Sequence, residues 1–518
     1  MAARTAPALI LVVAFLLALG GAAGAVYVAV QQPWTGLELR AAAGGKGIVV
    51  AGARPGGPNA AIPPGSRVLS LGVPGGPERV VPRAADLVEE PDVFDTFAEL
   101  DGTFFPRQGR LHAILSGGRV VARLAPPGGA AAETRLTVLP ARPAGDLPPV
   151  FWVQLFVGMT GLVVGAWVWG LRARDPAAFF FALAGAGLCI SAMPAAVYST
   201  REIALAAGVF KTLSNLNNTG SLTFGAGMIG LFLNYPRRVL PVAASALPAV
   251  VLGAWVGADI LRLASGPPLT RYLPITLAMA AIVVCVALQY RLTRGDPRDR
   301  AALRWLGLSV VVGAGAFTLV VIVPVLLGVG ARLSQGYGFL FFLLIYAGVA
   351  LGIRRYRLFE LEHWAFRILF TMAGVMLIVA LDAVLVLVVS VEEIPAFSLS
   401  FVTVALLYLP LRDVLWRRFV STRTPSRERL FAQIVDIALT PPGKSQDARW
   451  RDVLQELFDP LRIEPGTAGA GAALDEGGLG LSVPSVGQVP ALRLSYAGRG
   501  RRLFGPRDVA LVDELISM

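Results

Sequence analysis

The sequence predicts a mostly α, polytopic membrane helix bundle of about ten spans, with a small β-rich domain on one side and a small α+β domain on the other. Three observations carry that expectation. Hydrophobic residues make up 55% of the 518 positions and charged ones 15%, with a mean hydropathy of +0.65, which is too apolar for an ordinary soluble chain. Ten hydrophobic stretches recur at lengths suited to roughly 30 Å of hydrocarbon. The arginines between them are sorted. Loops at Arg172–Pro176, Pro236–Arg238, Arg291–Arg304 and Arg354–Arg367 hold 13 Arg and no Lys, whereas the alternate loops around Arg201–Lys211, Arg262–Arg271, Arg332 and Glu392–Glu393 hold 5 basic residues. By the positive-inside rule the first set faces the cytoplasm and both termini lie there.

The first span, about Ala8 to Val30, follows Arg4. Ala23-Gly24-Ala25 also reads as a peptidase site, but the apolar run continues through Val26–Val30, so residues 1–30 are taken as an uncleaved anchor. Residues 31–148 form the outer domain. There Gly and Pro punctuate short β-branched runs such as Gly47-Ile48-Val49-Val50 and Arg119-Val120-Val121-Ala122, and 12 basic residues nearly balance 11 acidic ones.

Residues 149–411 hold about nine further spans: Val150–Leu171, Ala177–Tyr198, Leu213–Asn234, Val239–Leu261, Leu273–Tyr290, Leu306–Val329, Gly336–Ile353, Ile368–Ser390 and Phe397–Leu411. Ile203–Asn234 is too long for one upright helix, so its first part is expected to project as an amphipathic extension. Residues 412–440 continue as a basic exit helix with Val414, Leu415, Phe419, Leu430, Ile434 and Ile437 at helical spacing. Past Pro441-Pro442-Gly443, residues 441–518 read as a helix (Trp450–Phe458), strands at Leu479–Val483 and Ala491–Tyr496, and a closing helix from Pro506. At under 100 residues this last domain is thin, which leaves its completeness open.

The net charge of +12 does not point to nucleic acid. The basic residues flank spans, where they set orientation and meet anionic lipid head groups, and no basic run is interleaved with aromatics outside the membrane. Only 3 of the 46 basic residues are lysine, a bias that fits a GC-rich bacterial genome; with the spans, the expected location is a bacterial inner membrane. Cys189 and Cys285 both fall in apolar stretches and supply no disulfide framework.

Three passages together resemble one family, the polytopic bacterial sensor histidine kinases. Gly47-Ile48-Val49-Val50 with Ala60-Ala61-Ile62-Pro63-Pro64-Gly65-Ser66-Arg67-Val68-Leu69-Ser70-Leu71 resembles a bacterial PDZ-like domain, although Ser66 and Arg67 stand where such domains usually carry Asp and another polar residue. Arg354-Arg355-Tyr356-Arg357-Leu358-Phe359-Glu360-Leu361-Glu362 and Leu409-Pro410-Leu411-Arg412-Asp413-Val414-Leu415-Trp416-Arg417-Arg418-Phe419-Val420 resemble the membrane-exit region of those kinases. Gly498 through Val512 resembles the last strand and helix of a GAF-like domain.

The resemblance implies an input module that acts as a homodimer, responds to an unidentified extracytoplasmic ligand, and hands its signal to a histidine kinase core or response regulator. One departure is large: the only histidines are His112 and His363, neither suited to accept a phosphoryl group, and no ATP-binding boxes are present. No catalysis and no cofactor are expected of the chain itself. Gly469–Gly480 lacks the flanking strand and helix of a phosphate cradle and reads as a linker.

Intramembrane hydrolysis fails on the same count. Zinc held by His-Glu-x-x-His needs two histidines one helical turn apart, and a serine protease needs a histidine base within a span. What remains is intramembrane polarity, which is costly enough to require a reason. Lys211, Asn215 and Asn218 share one helical face, flanked by Ser214 and Ser221. They would line an outward-opening sensing cavity or, the favoured alternative, hold neighbouring helices together by hydrogen bonds.

Asp382, mid-span, would be a protonated structural acid or, less favoured, a proton-coupled transport residue. Two other functions compete with signal input. A secondary transporter would show two related halves, and a membrane scaffold would use the outer domain to hold peptide ends.

Overall fold

The structure is a computed structural model that describes residues 2–42, 47–77, 79–294, 297–326, 335–346, 348, 402–403, 406–407, 410, 444–466, 471–475, 478–485, 489–497 and 504–517. By contacts the chain divides into two units, residues 1–348 with 367–406, and residues 349–366 with 407–518.

The first unit begins with helix α1, Ala2–Val30. A sheet lobe follows, built from strands β1 (Leu37–Ala41), β2 (Ile48–Ala53), β3 (Arg67–Gly72), β4 (Arg79–Val80), β5 (Arg119–Ala125) and β6 (Ala132–Thr137). All pair antiparallel in the order β1-β2-β3-β5-β6, with β4 on β3. The alternation of apolar and polar side chains along β5 explains its place: Val120, Ala122 and Leu124 are buried while Arg119 and Arg123 face out. Helix α2, Phe105–Ser116, covers the apolar face with Leu111, Ile114 and Leu115.

The lobe closes on itself where the chain leaves and re-enters the bundle. Trp34 and Leu139 form an antiparallel bridge, and the Arg142 amide donates to the Val30 carbonyl at 2.7 Å. Asp146 gathers Arg54, Arg142 and the Trp34 indole at the same point.

The bundle continues with α3 (Pro149–Leu171), α4 (Pro176–Ser199), α5 (Ala207–Asn234), α6 (Leu247–Ile260), α7 (Leu273–Leu292) and α8 (Pro297–Phe317). Among the described residues six segments are long and apolar enough to cross a membrane: Leu9–Val30, Pro149–Leu171, Pro176–Ser199, Val242–Ile260, Pro268–Leu292 and Leu306–Val325. The chain is a multi-span membrane protein on this ground. Helix α5 runs beside them and carries the polar face. Of the last three spans read from the sequence, Gly336–Ile353 is described in part, as the apolar helix Gln335–Tyr346, whereas Ile368–Ser390 and most of Phe397–Leu411 lie outside the described residues. Asp382, His363 and the exit helix at 412–440 lie outside the described residues.

Helices α4 and α5 approach closely because glycines face each other. A Cβ on Gly187 would collide with the Phe224 amide, and one on Gly220 with the Ser191 amide. One expectation is corrected at the start of α5. Ile203, Ala204 and Leu205 are not a helical extension; all three are buried, and the first two belong to the core of the sheet lobe. Their apolar side chains gain more from that core than from a helical turn in solvent.

The second unit, in its described part, is a four-stranded antiparallel sheet with two helices. Strands β7 (Arg462–Pro465), β8 (Ala473–Asp475), β9 (Gly480–Val483) and β10 (Leu492–Ser495) run in the order β7-β10-β9-β8. Helices α9 (Lys444–Phe458) and α10 (Pro506–Ser517) contribute Trp450, Leu454, Phe458, Val512 and Leu515 to its core.

Candidate functional site at the lobe end of the bundle

The segment joining β4 to α2 lies against the ends of four helices, and its acidic residues enter the bundle. Asp92, on the turn Pro91–Val93, is ion-paired to Arg271. Arg271 is completely buried on the turn Pro268–Tyr272 that leads into α7. Its guanidinium also donates to both carboxylate oxygens of Asp259 on α6, at 3.1 and 3.0 Å, to Ser214 Oγ at 2.6 Å and to Asn215 Oδ1 at 3.2 Å. Thr270 Oγ1 donates a further bond to Asp259 at 2.6 Å.

Such an arrangement is what a buried charge requires. Desolvating a guanidinium or carboxylate costs several kcal/mol in order of magnitude, offset only when every remaining donor and acceptor is engaged. Burial raises the Asp92 carboxyl from its ordinary range, and the adjacent Arg271 opposes that shift.

A second layer surrounds this triad. Asp101 accepts from Arg262 at 2.8 Å and pairs with Lys211 at 3.0 Å. Partial burial would lift its carboxyl, but the hydrogen bonds from Arg262 and Lys211 prevail and hold it below the usual range. Arg262 also stacks over the Phe97 ring at 4.2 Å. The α6–α7 loop touches the lobe through backbone: the Phe97 amide donates to the Ser265 carbonyl, and Gly266 lies against the Asp95 carbonyl so closely that a Cβ would not fit.

Beside it lies a cluster around Glu90. Tyr198 donates to Glu90 Oε2 at 2.5 Å, while Oε1 is buried without a partner among the described residues. Burial is the main cause that pushes Glu90 well above the ordinary glutamate range, reinforced by the neighbouring Asp92. Arg201 donates to the carbonyls of Asp86, Val88 and Tyr198 and lies over the Phe210 ring at 4.6 Å. Burial brings it down to about 10. Glu202 accepts from the Thr35 and Leu37 amides and the Thr35 hydroxyl, fastening the α4–α5 connection to the start of β1.

Beneath Asp92 the bundle contains a cavity with about 730 Å3 of space unfilled by atoms, part of it open to the surroundings. Its lining is mixed: Ser191, Asn217, Asn218 and Ser221 supply polar groups, and Phe224, Phe317, Phe339 and Phe342 supply aromatic rings. Asn217 donates to the Ser191 carbonyl and hydroxyl, both at 3.0 Å. Asn218 is 2% exposed, and among the described residues neither its Nδ2 nor its Oδ1 has a hydrogen-bond partner.

The three polar residues read from α5 therefore separate into three environments. Lys211 reaches Asp101, Asn215 supports Arg271, and Asn218 faces the cavity. Sequence reading missed Glu90, Asp92, Asp101, Asp259 and Arg271. In the sequence Arg262 and Arg271 read only as two of the few basic residues in the outer loops, yet both are engaged by carboxylates. A signal was present: one acid, Asp259, stands with two bases, Arg262 and Arg271, about a short loop between two spans. Among the described residues no group of three His, Cys, Asp or Glu side chains could hold a metal ion.

Compared with protein families, with curated proteins and with solved structures, the chain gives no match.

Proposed function

We propose that the chain is the sensory and transmembrane input module of a protein resembling sensor histidine kinases. In this reading the lobe faces the cell exterior and carries a PDZ-like fold, and the second unit is a cytoplasmic GAF-like domain. The module works as a homodimer. Its signal passes along the exit helix at 412–440 to a kinase core or response regulator supplied from outside these residues.

The observation that carries the proposal is the Asp92–Arg271–Asp259 triad. It joins the lobe to two spans, with Ser214 and Asn215 of α5 completing the shell of Arg271. With the charges buried, the lobe cannot tilt without either moving the helix ends or stranding an ion in a low-dielectric interior. A scaffold that only displayed a peptide-binding domain would gain nothing from such a joint. An input module requires one.

The test compares hydrogen exchange in the full chain, reconstituted in lipid nanodiscs, between the unaltered protein and Asp92→Asn. Loosening the joint should change exchange in Lys444–Phe458, and inserting two glycines after Val420 should abolish that change. If the lobe loosens while exchange in Lys444–Phe458 stays the same, no relay links the two and the proposal fails.

A further inference from the structure

We infer that the cavity beneath Asp92 is a binding site for a small uncharged amphiphile, with its apolar body among the phenyl rings and one head group that both donates and accepts hydrogen bonds held by Asn218. The inference deepens the signal-input reading and rests on it only for the consequence of binding, not for binding itself.

Asn218 carries the argument. A primary amide buried in an apolar bundle with neither end bonded is costly, and a site that keeps one is explained by a partner that arrives from outside. The neighbouring amides do not share this state: Asn217 is bonded to Ser191, and Gln289 Nε2 donates to the carbonyls of Phe232 and Arg237. Gln154 also has no partner among the described residues, but it lies against Gly336 and does not line the cavity.

The second observation is the aromatic part of the lining. Phe224 and Phe342 meet edge to face at 5.0 Å, and Phe317 lies 5.0 Å from Phe342. Water would satisfy Asn218 but would leave these rings facing a solvent they disfavour, whereas cavities with apolar walls take up small apolar molecules. One amphiphile satisfies both parts of the lining.

The ligand should be uncharged. Ser191, Asn217, Asn218 and Ser221 are neutral, and Asp92, the charged group on the cavity wall, is already paired with Arg271. A charged head group would enter without a free counter-ion. Asp92 also gives binding a consequence, because an occupant touching it touches the residue that fastens the lobe. Only a ligand that favours one position of that joint over another would shift it.

The test uses the full chain in nanodiscs with a diazirine-bearing octan-1-ol as photoprobe. Labelling should saturate, concentrate on peptides containing Asn217–Gly225 and Phe317–Ile322, and be displaced by unlabelled octan-1-ol. The methyl ether of the probe, which cannot donate, should bind about tenfold more weakly, as loss of one buried hydrogen bond implies. Asn218→Leu should weaken labelling by a similar factor while its thermal midpoint holds or rises, and Asn218→Ser should restore part of the binding.

Labelling that never saturates and spreads over exposed apolar positions such as Val250 and Leu263 would overturn the site, as would unchanged labelling of Asn218→Leu. The exchange measurement on the same samples separates the two proposals. Saturable labelling without a relay from Asp92→Asn keeps the site and removes the signalling role. A relay without saturable labelling does the reverse.

Discussion

Asp92 and Arg271 stand 179 positions apart and form an ion pair inside the protein, with Asp259 closing the other side of the same guanidinium at 3.0 Å. Two carboxylates on one arginine would leave a net negative charge. Arg262 corrects it, 3.5 Å from Asp259 and bonded in turn to Asp101, which pairs with Lys211. Three acids therefore face three bases, and the group is neutral as a whole. The balance allows a polar joint to sit at the end of an apolar bundle.

Removing one member should be far worse than removing all. Arg271→Met strands Asp92 and Asp259 and should cost about 3–5 kcal/mol, visible as a lower thermal midpoint and faster proteolysis of the Asp92 segment. Combining it with Asp92→Asn and Asp259→Asn should recover most of that loss. Equal loss in the single and triple variants would mean that the site contributes shape and not charge.

The Glu90 cluster makes stability depend on pH. Glu90 sits against Tyr198, Asp92, Glu89 and Arg201, and its carboxyl is raised above the ordinary value of 4.5. A raised carboxyl pKa means that the folded state holds a proton the unfolded state has released. The stabilisation is thus complete below about 4.5 and is lost as pH rises through the raised value. Asp92 and Glu202 are shifted the same way. Asp101 runs opposite: its contribution is present above 3.8 and lost as pH falls through its lowered value. Thermal midpoints measured from pH 5 to 8 should decline, and Glu90→Gln should flatten the slope. A midpoint that climbs over that range would contradict the burial argument.

How much of this was legible depends on whether the signal was local. Strand β5 was visible because Arg119-Val120-Val121-Ala122 is a short β-branched run between glycine and proline, and the spans were visible because each is one apolar run. The partners of α5 were not, because nothing in the periodicity of Lys211 or Asn215 points to Asp101 or to Arg271. Counting loop arginines treats each charge as free, so Arg262 and Arg271 read only as two of the few basic residues in the outer loops. The glycines of α4 and α5 resemble genome composition until Gly187 and Gly220 are seen against opposing backbone.

Close backbone contact also fixes the α6–α7 loop. A methyl group on Gly266 would land on the Asp95 carbonyl, so Gly266→Ala should push the lobe off this loop and cost about 1–3 kcal/mol. Gly253 on α6 has open space where its Cβ would be, and Gly253→Ala should be neutral or slightly stabilising. Comparing the two thermal midpoints checks the docking directly. Similar losses at both positions would mean that the loop does not support the lobe.

The second unit has a core of its own, and a core substitution there should report on that core alone. Leu494 is fully buried at the centre of β10, paired to Leu481 on one side and Ile463 on the other. Truncating it takes its methyl groups out of contact with both neighbours and leaves a cavity in the core shared with α9 and α10, so Leu494→Ala should cost about 2–5 kcal/mol. Glu464, half exposed on the edge strand β7, supplies the control, and Glu464→Ala should fall within about 0.5 kcal/mol of the unaltered chain. Calorimetry of the reconstituted protein should show the transition assigned to this unit moving in Leu494→Ala while that of the lobe and bundle keeps its midpoint. A common shift of both transitions would mean that the two units unfold as one.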